Sequence, residues 1–157
     1  MLFFYKYDRT KQHGVLPNDF NVVFRKIIMP LNSFHSVLWH IFSFLKGEKY
    51  YEYQVLKNGE VVSAAQVCPK NLFFRFVPKN GWHIGPCSTI KSQRGNGFYP
   101  LLLQFIVQEH PERDYYMIID ERNISSQKGV DKAGFEKFAV GKKNCIGQYC
   151  IESSMRK

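Results

Sequence analysis

The chain of 157 residues has few cysteines, no long apolar run and no low-complexity segment. Its four cysteines lack C-x-x-C spacing, and a disulfide scaffold would need more cysteines in a shorter chain, so we expect reduced thiols. His35 and His40 lie five residues apart rather than at the i, i+4 spacing of a metal pair, so we expect no metal site. No stretch of 18 apolar residues could span a bilayer. The N-terminus lacks the basic segment and apolar run of a signal peptide, so we expect a cytoplasmic protein.

Acidic residues are also few. Thirteen acids against 22 lysines and arginines leave a formal net charge of +9, which indicates an anionic partner: nucleic acid, lipid or a phosphorylated small ligand. The basic residues are scattered and form only short pairs, whereas nucleic-acid surfaces usually cluster them, so no nucleic-acid partner is expected. With 45% hydrophobic and 22% charged residues, the composition is that of one globular domain over residues 1–157.

The hydrophobic pattern predicts a mixture of hairpin strands and crossover helices. The predicted helices cover 34–45, 98–110 and 123–133, and the predicted strands cover 2–7, 51–56, 60–67, 82–90, 115–120, 136–140 and 145–151. The Asn58-Gly59 turn joins the second and third strands as a hairpin. Residues 8–32 give no clear prediction. The order of elements indicates a sheet with helices on both faces.

Residues 83–107 are the most informative part of the chain, because they combine a strand, a basic glycine turn and an apolar helix. A helix that begins at this turn presents its backbone N–H groups and the positive end of its dipole to an anion. Gly95 and Gly97 allow the backbone to approach a phosphate closely, and Arg94 adds a guanidinium. Within the strand, Gly85-Pro86 predicts a bulge or a splayed segment.

Three segments resemble the GNAT superfamily of acyl-CoA-dependent N-acyltransferases. They are Arg94-Gly95-Asn96-Gly97 after a strand, Asn123-x-x-Ser126, and Lys132-Ala133-Gly134-Phe135. In the family pattern Arg/Gln-x-x-Gly-x-Gly/Ala, Arg94 and Gly97 match, whereas Tyr99 stands at the third position. The resemblance covers about residues 50–140. Residues 1–50 correspond by position only to the variable acceptor-binding end.

The resemblance implies an α/β (α+β) fold with a mixed, mostly antiparallel sheet of about six to seven strands and helices on both faces. The sheet would be splayed between its fourth and fifth strands, 82–90 and 115–120. The splayed backbone would bind the pantetheine arm of acetyl-CoA or another acyl-CoA as an added strand, and a backbone N–H would polarise the thioester carbonyl. The expected cofactor-binding residues are Cys87, Ser88, Thr89, Arg94, Gly95, Asn96, Gly97, Phe98, Asn123 and Ser126.

Three residues are candidates for the chemistry. His83, with an ordinary pKa near 6.5, would suit the base that takes the proton of the amine; alternatively, it only hydrogen-bonds the backbone. The tyrosine that commonly serves as acid in the family falls at Val130. Either the thiolate leaves without an acid, or another group such as Tyr149 supplies the proton. Asp120, at the end of a strand, would accept a substrate ammonium or serve as base, unless it is only a solvated acid.

The predicted activity is therefore transfer of an acetyl group from acetyl-CoA to a small amine, with an amino sugar or a nucleotide-linked amino sugar as one acceptor class. We expect a monomer or homodimer. The alternatives are a catalytically inactive CoA-binding or interaction module of the same fold and, less favoured, a basic nucleic-acid binder.

Overall fold

A computed structural model describes residues 1–10, 22–28 and 49–154 of the chain. These ranges hold eight strands, two α-helices and one short 3-10 helix, Lys91–Gln93. The strands are β1 (Leu2–Tyr7), β2 (Val22–Ile28), β3 (Tyr51–Lys57), β4 (Glu60–Pro69), β5 (Gly81–Thr89), β6 (Asp114–Asp120), β7 (Phe135–Lys143) and β8 (Tyr149–Ser154). The helices are α1 (Phe98–Glu109) and α2 (Ile124–Lys132). The predicted helix over 34–45 lies outside the described residues.

The eight strands form one sheet in the order β2-β3-β4-β5-β6-β1-β7-β8. All neighbours are antiparallel except β5 and β6, which α1 connects as a crossover. This confirms the predicted mixed, mostly antiparallel fold. The sheet exceeds the predicted six to seven strands because β2 lies in the 8–32 stretch that gave no clear prediction.

The first strand along the chain lies in the interior of the sheet. β1 pairs with β6 on one side, where Leu2 is opposite Asp120, and with β7 on the other, where Tyr7 is opposite Phe135. β6 and β7 do not pair with each other, so β1 joins the two parts of the described sheet.

Side chains alternate between the two faces of the sheet, as strand geometry requires. On β6, Tyr115 and Met117 belong to the core beneath α1 and α2, whereas Tyr116 packs in a second cluster on the opposite face. The connection between β4 and β5 contributes Phe74 and Val77 to that second cluster. The two described helices contact each other and therefore share one face.

β5 and β6 separate after a short stretch of pairing. They pair only over Gly81–His83, whereas β5 pairs with β4 along most of its length. The β4–β5 register shifts at Gly85-Pro86, where Gly85 has a φ of 140°, a conformation that side-chain-bearing residues rarely adopt. The predicted splay is thus present, and it leaves backbone groups of β5 beyond His83 without a ladder partner on the β6 side.

The residues that the structure describes contain neither a helix that could span a membrane nor a cluster of side chains that could bind a metal ion. No helix there has the length and apolar character needed to cross a membrane. No three histidine, cysteine, aspartate or glutamate side chains come together there in a way that could hold a metal ion.

Candidate functional site

A pocket of about 530 Å³ lies on the helix face of the sheet, where β5 has separated from β6. Its walls are the end of β5, the turn before α1, the first turn of α1 and one side of α2. This volume falls within the range of small-molecule and cofactor sites.

The structure brings the predicted cofactor residues together, with one exception. Those that line the pocket are Cys87, Ser88, Thr89, Arg94, Gly95, Gly97, Phe98, Asn123 and Ser126. Asn96 is not among the lining residues, and its side-chain amide donates a hydrogen bond to Gln93 Oε1 at 3.2 Å.

Two helix N-termini face this pocket. α1 begins after Gly97, whose φ of 82° is left-handed, and no side chain caps this end of the helix. α2 begins after Asn123, whose Oδ1 accepts a hydrogen bond from the backbone N–H of Ser126 at 3.1 Å. The positive ends of two helix dipoles therefore converge on one cavity, which favours an anionic ligand.

The charged side chains at the pocket have one sign. Arg94, Lys128 and Lys132 line it, and no acidic residue is among the lining residues. Arg94 Nε donates to the carbonyl oxygen of Thr89 at 3.2 Å, which ties the guanidinium to the end of β5. Three cations and two helix N-termini make this a site for a ligand with several negative charges.

Of the α2 residues that line the pocket, the sequence predicted only Ser126 and missed four others. Ser125, Lys128, Gly129 and Lys132 all line it. Their i, i+3, i+4 and i+7 spacing places them on one side of a helix, and this spacing was the signal that could have identified them. Gln93, Tyr99 and Pro100 were missed as well.

Tyr99, which departs from the family pattern, is accommodated by the absence of a side chain at residue 129. A Cβ on Gly129 would lie 2.5 Å from Cδ1 of the Tyr99 ring. The Tyr99 hydroxyl and the Cys87 thiol are close enough to affect each other's pKa. Burial raises the pKa of Tyr99, and it raises the pKa of Cys87 to about 12, so this thiol stays protonated and is a poor nucleophile.

The structure places His83 outside this pocket, on the opposite face of the sheet. Its ring stacks on Phe74 with centroids 3.8 Å apart, and Nδ1 lies 3.9 Å from Cys68 Sγ. The sequence predicts the ordinary histidine pKa near 6.5. In the structure, burial lowers the pKa of His83 to about 3. The ring does border the splay: a Cβ on Gly85 would lie 3.2 Å from His83 Cε1.

The other two predicted catalytic residues are also away from the pocket. Tyr149 stacks on Phe74, with ring centroids 5.3 Å apart, on the same face as His83. Asp120 ends β6, where its carboxylate accepts hydrogen bonds from the backbone N–H and Nε of Arg122 at 2.9 and 3.0 Å. These hydrogen bonds lower the pKa of Asp120 to about 2, which makes it a weak base.

The buried His83 leads to a prediction about acid stability. Below pH about 6.5 the unfolded chain binds a proton on His83 that the folded protein does not bind until pH about 3. Stability will therefore fall as the pH is lowered through this window, by up to about 1.4 kcal/mol per pH unit from this group. His83→Phe keeps a ring against Phe74 and removes the group that binds the proton. In urea unfolding at pH 7.0, 5.5 and 4.5, the free energy of unfolding of this variant should therefore fall less steeply with decreasing pH than that of the wild type. Parallel losses in the two proteins would contradict this account of His83.

Comparison with known proteins gives the fold. No family model and no curated protein matches the chain. Among solved structures, a GNAT-family acetyltransferase from Colwellia psychrerythraea matches with a TM-score of 0.59 and 14% identity, over 87% of this chain and 52% of that one. The chain therefore has a GNAT-like fold. A tandem GNAT protein from the clavulanic acid biosynthesis pathway, solved without acetyl-CoA, matches with a TM-score of 0.56 and 16% identity, over 87% of this chain and 50% of that one.

The chain spans about half the length of these two GNAT structures. The resemblance to the GNAT superfamily that the sequence motifs indicated is confirmed at the level of the fold. In this GNAT fold, the pocket lies at the splay between β5 and β6, which are the strands that the resemblance predicted to separate.

Proposed function

We propose that this protein is an acyl-CoA-dependent N-acyltransferase that moves an acetyl group from acetyl-CoA to the amine of a small molecule. One observation carries the proposal. The end of the splayed strand, two helix N-termini and three basic side chains meet at a single pocket.

Each part of the pocket fits one part of the donor. The phosphates of acetyl-CoA would lie at the start of α1, near Arg94, with Lys128 and Lys132 supplying further positive charge. The pantetheine arm would lie beside Cys87–Thr89 as an added strand, since this part of β5 does not pair with β6. A backbone N–H in this segment would stabilise the oxyanion of the tetrahedral intermediate.

Transfer would be direct. The neutral amine attacks the thioester carbonyl carbon, the C–S bond breaks, and the sulfur leaves with the electron pair as a thiolate. His83 borders the splay as a neutral imidazole, so we propose that it accepts a hydrogen bond from the attacking amine or from a water beside it. Its lowered pKa makes it an orienting acceptor, and water carries the proton away. No step is assigned to Tyr149 or Asp120.

The test is calorimetric titration with acetyl-CoA of the wild type and of Arg94→Ala. The wild type should bind, and ligand at 100 times its dissociation constant should add about 2.7 kcal/mol of stability. Arg94→Ala should weaken binding about 10- to 100-fold, because a charge-assisted contact to phosphate is lost. Arg75→Ala removes the same charge from the exposed β4–β5 connection and should leave affinity unchanged. Absence of binding at millimolar acetyl-CoA would overturn the proposal.

One observation favours the inactive module as a second candidate. Val130 occupies the position at which the resemblance places a tyrosine acid, and its side chain is completely buried. Such a module would bind acetyl-CoA with the same dependence on Arg94 but release no thiol with any amine. Thiol release above the spontaneous rate would exclude it.

A further inference from the structure

A group of polar side chains lies on the sheet face opposite the pocket. Arg25 on β2 is opposite Gln54 on β3, and Glu52 on β3 is opposite Gln66 on β4. Residues opposite one another in an antiparallel pair share a face. Because Tyr53 belongs to the helix-face core, its neighbours Glu52 and Gln54 point to the other face. We call Arg25, Glu52, Gln54 and Gln66 the polar strip.

The side-chain amide of Gln54 forms hydrogen bonds with both charged members of the polar strip, Arg25 and Glu52. Gln54 is 93% buried, and its Oε1 accepts hydrogen bonds from Arg25 Nε at 2.8 Å and Nη2 at 2.5 Å. Its Nε2 donates to Glu52 Oε1 at 2.5 Å. These bonds fix the orientation of the amide. Arg25 and Glu52 are diagonal neighbours on adjacent strands, but they form no direct ion pair, so the glutamine keeps the opposite charges apart.

Much of the hydrogen-bonding capacity of the polar strip is unused within the described residues. Neither Arg25 Nη1 nor Glu52 Oε2 has a partner among the described residues, and the side-chain amide of Gln66 makes no hydrogen bond with them. One face of three adjacent strands thus offers a guanidinium donor, a carboxylate acceptor and an amide. A ligand with one negative and one positive charge close together would satisfy all of them.

The polar strip is next to the splay. Ala65 is opposite Cys87 and Val67 is opposite Ile84, so Gln66 lies opposite the bulge at Gly85-Pro86. This is the point at which β5 is no longer paired with β6. A ligand on the polar strip would therefore approach, from the other face, the same strand whose end lines the pocket.

We propose that the polar strip binds the α-carboxylate and α-ammonium of an amino acid whose side-chain amine is the acyl acceptor. Arg25 binds the carboxylate, and Glu52 with Gln66 binds the ammonium. This inference rests on the proposed function and narrows its amine acceptor to a diamino acid.

The spacing of the strands favours a side-chain amine over the α-amine. Neighbouring strands are about 5 Å apart, so a head group over β3 and β4 lies about one strand spacing from β5. An extended lysine-type side chain spans about 6 Å and reaches that strand. The side-chain nitrogen bonds to the acyl carbon, the C–S bond breaks with the electron pair on sulfur, and the proton lost by the amine goes to water.

The experiment compares L-lysine with cadaverine, which has the same amine chain and no carboxylate. With acetyl-CoA as donor, mass spectrometry measures the acetylated products and their kcat/KM. The wild type should favour lysine at least 10-fold, and Arg25→Gln or Glu52→Gln should reduce that preference at least 10-fold. Arg75→Gln, which removes a charge elsewhere on the surface, should keep the wild-type preference. Equal rates for lysine and cadaverine, or an unchanged preference in both variants, would overturn the inference.

Saturation-transfer NMR of L-lysine with the CoA-bound protein is a second readout that needs no turnover. A lysine signal that weakens in Arg25→Gln and Glu52→Gln supports the site, and absence of a signal in the wild type overturns it. Failure of the proposed function looks different. In that case, the wild type would not bind acetyl-CoA, whatever lysine does.

Discussion

Replacing Phe4 with alanine will lower the free energy of unfolding by about 3–5 kcal/mol, the cost of removing a large aromatic side chain from a packed core. Phe4 has no exposed surface, and its ring packs edge-on against Phe76 with centroids 4.8 Å apart. It also contacts the ring of Phe138 on β7. Since β1 joins β6 to β7, the cavity would open where two parts of the sheet meet. Urea unfolding monitored by circular dichroism measures the change.

Lys6→Ala is the matched control for Phe4→Ala. Lys6 lies two residues further along β1, and its side chain is 46% exposed beside Asp114. A surface pair of this kind contributes about 0–1 kcal/mol, so this variant should stay close to the wild type. A loss below about 1 kcal/mol in Phe4→Ala would contradict the placement of β1 inside the sheet.

Gly129→Ala will weaken the acetyl-CoA binding that we propose by about 5- to 150-fold, the range that corresponds to the usual 1–3 kcal/mol cost of overpacking. The new methyl group would lie 2.5 Å from the Tyr99 ring, so that the ring or α2 must move. Both possible movements change the wall of the pocket, because Tyr99 and Gly129 line it together. Calorimetric titration with acetyl-CoA gives the affinity.

A second substitution tests the cause of that loss. Gly129→Ala combined with Tyr99→Ala removes the ring that the methyl group meets, so the double variant should bind acetyl-CoA more tightly than Gly129→Ala alone. A contrary result would be a loss of affinity in the double variant that equals the sum of the losses caused by Gly129→Ala and by Tyr99→Ala alone. That result would show that the contact between the Tyr99 ring and residue 129 is not the reason for the weaker binding.

Local patterns in the sequence predicted a large part of the fold. The strand at 2–7, the hairpin through Asn58-Gly59 and the helix after Gly97 all follow from side-chain period and turn chemistry over a few residues. The splay followed from Gly85-Pro86, because proline lacks the N–H that a ladder needs. β2 was not predicted because Val22–Ile28 combines exposed apolar residues with Arg25 and Lys26 and so lacks a clear strand pattern. β2 also lies at the edge of the described sheet.

The residues that line the candidate site were predicted where backbone chemistry places them, and they were missed where packing between distant segments places them. The glycine turn and the cap at Asn123 can be read from neighbouring residues. The pKa of His83 cannot, because it depends on Phe74 from another segment covering the ring. The pairing of Tyr99 with Gly129 likewise joins two helices whose contact no local pattern shows.

The interior position of β1 has a consequence for how the chain reaches its native state. Lys6 pairs with Tyr116 and Tyr7 with Phe135, so this strand is synthesised long before its partners. Contacts between residues so distant in sequence slow folding, because the chain must close a long loop before they form. During that interval Phe4 and Tyr5 are exposed, and the edges of β6 and β7 are open to other chains. The nascent protein is therefore most prone to aggregate just before β1 inserts, and chaperones that bind apolar strands would act in that interval.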